Sequence, residues 1–189
     1  MPDLNSPTLS PPGFPSVTGE HWIETLQDGT PVLIRPLRAE DREREKAFIL
    51  RLSPESRHQR FLGEIVEPGT SLMDQLMDVD AHNRVAYVAL AHDNGLLLEV
   101  GISRYAASGV EHECECAITV ADDWQQRGLG TRLMNHLIAT ARLNHFKRMY
   151  SIDSASNTHM RALADALHFS RERDPDDATQ VIHRLSLQS

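Results

Sequence analysis

A chain of 189 residues, 40% of them hydrophobic, is long enough to bury one core and too short to need a second. With 19 basic against 27 acidic side chains the formal charge is -8, which argues against a nucleic-acid partner because phosphate recognition needs a clustered basic face. No apolar run approaches the ~20 residues of a membrane-spanning helix, and the two cysteines, with no leader ahead of them, point to a reducing cytoplasm and no membrane.

Five of the ten prolines (Pro2, Pro7, Pro11, Pro12, Pro15) lie among Ser, Thr and Gly near the start, so residues 1–19 read as a flexible tail and 20–189 as the folded domain. Alternation predicts a strand at 21–26. An Asp28-Gly29 turn leads into a second strand at Val32, Leu33 and Ile34, closed by Pro36. A charged amphipathic helix is expected over 39–52, burying Ala47, Phe48 and either Leu50 or Leu52. Ser53 as N-cap and Pro54 as first helical residue start a short helix through 57–61, and 71–77 is a further helical stretch. Runs at 85–91 and 96–105 flank Asp93-Asn94-Gly95, a hairpin signal, and Ser108-Gly109 turns the chain into 110–120 to complete an antiparallel meander. Leu129, Leu133, Leu137 and Ala141 then share one helical face, ending near Asn144. A strand at 148–152, a helix at 157–167 and a last strand at 179–187 close the order.

The segment Gln125-Gln126-Arg127-Gly128-Leu129-Gly130-Thr131 joins a strand to the start of the long helix. A helix start presents unpaired N–H groups and about half a positive charge, and glycines let a diphosphate approach them. Arg127 and Arg132 add charge beside the loop. On its own, a two-glycine loop serves equally well as a tight turn. A P-loop is excluded because no Gly-Lys-Ser/Thr follows, and a dinucleotide fold is disfavoured because the feeding strand belongs to a meander.

Gln125-x-x-Gly128-x-Gly130 resembles the acetyl-CoA signature of the GNAT N-acetyltransferases. Asn157-x-x-Met160-x-x-Leu163-Ala164-x-x-Leu167-His168-Phe169 is similar to that family's Asn-led helix, with His168 where Gly is usual. Arg35-Pro36-Leu37-Arg38-x-Glu40-Asp41, Leu52-Ser53-Pro54-Glu55-Ser56-Arg57 with Arg60-Phe61, and Glu115-Cys116-Ala117-Ile118 resemble the GNAT domains of bacterial Pat-type protein-lysine acetyltransferases. The resemblance implies an α/β (α+β) fold in which helices flank a mixed, mostly antiparallel sheet. It also implies acetyl-CoA as co-substrate, bound by Gln125, Gln126, Arg127, Gly128, Leu129, Gly130 and Thr131, with Asn157 capping its helix and adding a hydrogen bond to the cofactor. Backbone N–H groups of Ile118, Thr119 and Val120 are implied as donors to the thioester carbonyl and partners of the pantetheine arm.

Alternation puts Glu111, Glu113 and Glu115 on one strand face and His112, Cys114 and Cys116 on the other. Glu115 matches the catalytic Glu of the Pat-like group and is assigned as general base, directly or through a water, with Glu113 as the alternative. The Tyr that many GNAT enzymes use as general acid falls at Ala164, which leaves Tyr150 and Ser154 as candidates by proximity alone. His112, Cys114 and Cys116 diverge by about 7 Å per step along a strand, too far for one zinc ion, so no metal is expected.

The acceptor implied is a primary amine, on a protein lysine or a small molecule, attacking directly in a ternary complex. The alternatives are an acyl-CoA-binding sensor without chemistry and an adaptor working through the Pro-rich tail. Neither the acceptor nor the oligomeric state, a homodimer included, is legible.

Overall fold

The computed structural model describes Phe14 and residues 18–188. Eight strands form one sheet in the order β1-β2-β3-β4-β5-β6-β8-β7. They are β1 Trp22–Thr25, β2 Pro31–Pro36, β3 Arg84–Asp93, β4 Leu96–Ala107, β5 Glu113–Val120, β6 Arg148–Ser154, β7 Ser170–Arg173 and β8 Gln180–Ser186. Every pairing is antiparallel except β5 with β6. Five α-helices flank the sheet: α1 Arg42–Arg51, α2 Pro54–Phe61, α3 Thr70–Met77, α4 Leu129–Leu143 and α5 Thr158–Ala166. This is the mixed α/β architecture the resemblance implies. Among the described residues no helix is long and apolar enough to cross a membrane.

Alternation along the strands builds a core on each side of the sheet. Val32, Ile34 and Val100 meet Leu129, Leu133, Leu137 and Ala141 of α4 on one face. Leu33, Val88 and Ile102 meet Phe48 and Ile49 of α1 and Met73 and Leu76 of α3 on the other. Each such side chain contributes roughly 1.5–3 kcal/mol when fully buried. Phe14, inside the stretch expected to be a tail, joins this second core and sits 5.6 Å from the His92 ring.

Asn94 and Gly95 form the expected two-residue hairpin, both in the left-handed region at φ 49° and 80°. Ser53 caps α2 by accepting from the Ser56 N–H at 3.1 Å. The helix expected over 39–52 begins instead as a 3-10 turn at Ala39–Asp41, and its inward face is Glu45, Phe48 and Ile49, with Ala47 and Leu50 exposed. Asp41 is fully buried there. It takes two hydrogen bonds from Arg35 at 2.7 and 2.8 Å, one from Arg44 at 2.6 Å and the Arg38 N–H at 2.8 Å, so the Arg35-to-Asp41 motif is a structural latch between β2 and α1. His168 supplies the left-handed residue after α5 at φ 65°, and the Phe169 N–H reaches the Ala164 carbonyl at 2.9 Å to close the helix end.

Candidate active site

β5 lies between β4 and β6, but the two neighbours treat it differently. β4 stays paired with it as far as Val120, whereas β6 pairs only over Glu113, Cys114 and Glu115 and then diverges. The gap is a cleft of about 590 Å3, walled by β5, the loop into α4, α5 and the end of α2. Antiparallel pairing alternates which residues turn their backbone groups toward the partner. Because the Ala121 N–H donates to Val100 of β4, the amides of Val120 and Ile118 point the other way, into the cleft, while Thr119 points toward β4. The Thr119 side chain lines the cleft, and its buried hydroxyl has no hydrogen-bond partner among the described residues.

Gly128, at φ 87°, turns the chain into α4, which starts with no side-chain cap. The first helical bond is Arg132 N–H to Gly128 O at 3.3 Å, so the amides of Leu129, Gly130 and Thr131 have no acceptor among the described residues. A Cβ on Gly130 would stand 3.3 Å from Leu163 Cδ2 across the cleft, so this glycine keeps the approach to those amides open. Three free N–H groups at the positive end of a 15-residue helix form a cradle that fits a diphosphate.

Of the residues expected around that group, Ile118, Thr119, Val120, Gln125, Gln126, Gly128, Leu129, Gly130, Thr131 and Asn157 all line the cleft. The Arg127 side chain does not. It pairs with Asp28 at 3.3 Å and lies 4.7 Å over the Trp124 ring, while its carbonyl accepts from the Gln27 N–H at 3.1 Å. Arg132 faces Glu24 at 3.5 Å. The β1 strand and the turn after it thus neutralise the two arginines expected to supply charge, leaving anion attraction to the amides. Gln125 donates from Nε2 to the Val120 carbonyl at 3.2 Å, and Gln126 meets His159 of α5 at 3.2 Å. Asn157 caps α5 by accepting from the Met160 N–H at 3.0 Å.

Glu115 is the last β5 residue paired with β6, and its exposed side chain lies in the cleft beside Gln59 and Arg60 of α2. The Tyr150 hydroxyl donates to its Oε2 at 3.3 Å. Burial, then the neighbouring Glu115 charge, push the Tyr150 phenol up to about 12, so it stays protonated and donating at neutral pH. Glu113 is engaged elsewhere, with Ser108 Oγ at 3.1 Å and Arg148 Nε at 3.3 Å. Ser154 bonds Ser156 rather than anything in the cleft.

The shared strand face expected for His112, Cys114 and Cys116 does not form. β5 begins at Glu113, and His112 sits in the preceding turn at φ 59°. Both cysteines are buried free thiols; desolvation pushes Cys114 up to about 12 and raises Cys116 well above the ordinary value. Pattern reasoning overlooked Asp153, which lines the cleft and accepts from Ser151 Oγ at 2.6 Å and His183 Nδ1 at 2.8 Å. It also gave Arg60 no role, although the resemblance had singled out Arg60-Phe61.

The sequence profile described as "Acetyltransferase (GNAT) family" matches residues 49–169. Over 174 residues the chain is 62% identical to "Acetyltransferase PA5475" of Pseudomonas aeruginosa, covering 92% of this chain and 94% of that protein. It is 29% identical over 135 residues to "Acetyltransferase Pat" of Mycolicibacterium smegmatis, covering 71% of this chain but 40% of that longer protein. The fold is similar to the crystal structure of the GNAT domain of S. lividans PAT, with a TM-score of 0.79 at 23% identity over 88% of this chain and 96% of that one.

Proposed function

The chain belongs to the GNAT family of acetyltransferases, and from that premise we propose that it moves an acetyl group from acetyl-CoA directly to a primary amine held in the same complex. The observation that carries this reading is the divergence of β5 from β6 beside the uncapped start of α4, with Glu115 at the last paired position. When bound, acetyl-CoA supplies the activated acyl group. The amides of Leu129, Gly130 and Thr131 hold its diphosphate, and Asn157 adds a hydrogen bond from the facing helix. The Ile118 and Val120 amides, on the open edge of β5, donate to the pantetheine arm and to the carbonyl that gains negative charge.

An alkyl amine with a pKa of about 10.4 is almost fully protonated at neutral pH and must lose a proton before it attacks. Glu115, oriented by Tyr150, takes that proton directly or through one water. Ala164 provides no acid for the departing sulfur, but a thiol with a pKa of about 8.5 leaves readily as thiolate and is protonated by solvent. The acceptor is an amine on a protein lysine or on a small molecule.

A second reading, an acyl-CoA sensor without chemistry, draws on the same Ala164. Coenzyme thiol release from acetyl-CoA, followed across amino acids, polyamines and lysine-bearing proteins, separates the two. Amine-dependent release is expected. Tight acetyl-CoA binding with release no faster than the amine-free background would discard the transferase in favour of the sensor.

A further inference from the structure

A second cavity of about 220 Å3 lies on the side of the sheet that carries α3, walled by Gln75, Leu76, Val79 and Ala106 among others. It shares Arg60, Glu115, Cys116 and Ala117 with the cofactor cleft, so the two spaces meet at the residue assigned as base. Five charged side chains line it, and most are already engaged. Arg84 is held by Asp78 at 3.2 Å and Asp80 at 3.3 Å. Arg104 is held by Glu45 at 2.9 Å and the Leu76 carbonyl at 2.8 Å.

Two groups of opposite sign remain. Glu115 accepts only from Tyr150, and Arg60 has no hydrogen bond or ion pair among the described residues, its guanidinium lying 4.8 Å over the Phe61 ring. Arg60 and Glu115 line the same space yet form no ion pair with each other. Desolvation, reinforced by Arg104, pushes the Arg60 guanidinium down to about 10, which still leaves it cationic at neutral pH. The half-buried guanidinium keeps its hydrogen-bonding edge open to this space, and a carboxylate that can bond it in two places is its best complement.

We propose that this second cavity is the acceptor site and that it takes a small amine bearing its own carboxylate, an α-amino acid or close analogue. The amine lies toward Glu115 and the carboxylate on Arg60. This rests on the acetyl-transfer reading above and narrows its acceptor. Glu115 takes one proton from the ammonium form, the freed amine nitrogen bonds to the acetyl carbonyl carbon, the carbon–sulfur bond breaks, the second nitrogen-bound proton passes to solvent as the amide forms, and the coenzyme departs as thiolate to be protonated by solvent. A polyamine would set a further cation against Arg60, and an isolated lysine side chain would offer Arg60 no hydrogen-bond acceptor.

The test is steady-state turnover of neutral L-amino acids against their carboxamides, with spermidine and a lysine-rich protein alongside, in the parent, Arg60→Gln and Arg60→Lys. The acids should exceed their amides by about 10- to 100-fold in kcat/KM, as befits one charge-assisted contact. Arg60→Gln should erase that ratio, and Arg60→Lys should restore part of it. Equal turnover of acid and amide by the parent, a ratio that survives in Arg60→Gln, or preference for spermidine or the protein would each overturn the proposal while leaving acetyl transfer standing. Failure of every amine to release coenzyme would instead remove the transferase reading, and this site with it. Because the readout is a ratio within one variant, a general loss of activity in Arg60→Gln does not imitate the result.

Discussion

Glu115 occupies a position where its carboxylate reaches both the cofactor cleft and the smaller cavity, with a Tyr150 hydroxyl steadying one oxygen. Replacing it by Gln keeps the shape and the hydrogen bond but removes the proton acceptor. Glu115→Gln is therefore expected to lower kcat by roughly 10²–10⁴-fold while the acetyl-CoA dissociation constant stays within error, measured by stopped-time thiol release and calorimetry. A kcat equal to the parent's across pH 6–9 would remove Glu115 from the mechanism. Alternation along the strand makes Glu115 and Glu113 equally visible as candidates; the family resemblance favours Glu115, and the tertiary contacts add that Arg148 and Ser108 engage Glu113. Arg60 could not be given a role from pattern alone. Its meaning comes from what is missing around it, the absence among the described residues of an ion pair in a space whose other arginines are ion-paired, and no local sequence window encodes that.

At the scale of elements, the start of α4 carries the cofactor argument. Gly128 sits in the left-handed region, and a Cβ there would stand 3.3 Å from Gln27 Nε2. A β-branched residue pays backbone strain of about 1–3 kcal/mol at such a φ and also pushes on the turn that holds the loop. Gly128→Val should weaken acetyl-CoA binding by tenfold or more while the far-ultraviolet circular dichroism of the folded sheet is retained. Unchanged affinity would mean that the amides of this turn are not the anchor. The helix itself was legible because Leu129, Leu133, Leu137 and Ala141 repeat at helical spacing and all face the core. α1 was legible as a helix but not in phase: it starts after a 3-10 turn and buries Glu45, which breaks the apolar pattern. β7 was missed because its four residues, Ser170–Arg173, are all exposed and polar, and an edge strand of that kind has no alternation to read.

For the molecule as a whole, the sheet carries buried charge that a core-by-hydrophobicity reading does not anticipate. Glu99 of β4 is fully buried, and neither of its carboxylate oxygens has a hydrogen-bond partner among the described residues. Burial first, and then the neighbouring Glu45 charge, hold its carboxyl well above the ordinary value. The folded protein therefore keeps this proton where the unfolded chain, with a glutamate near about 4.3, has lost it. Both states are protonated below that value, so the folded state pays no penalty there; stability falls as pH rises from the unfolded value toward the folded one. Glu99→Gln, neutral at every pH, is expected to raise the urea midpoint more at pH 8 than at pH 4. Equal shifts at the two pH values would show that Glu99 does not titrate differently on folding. The order of strands and helices was readable because hairpin turns, caps and apolar repeats are local signals, whereas the partial pairing of β5 with β6 joins residues far apart in the chain, Glu113 with Arg148 through Glu115 with Tyr150. That partial pairing has one further effect. An unzipped strand edge is ordinarily an invitation for another molecule to stack on and seed aggregates. Here it faces inward between two strands of its own sheet, so a second chain has no flat approach, and exposed backbone can be kept ready for a ligand without becoming a template for fibrils.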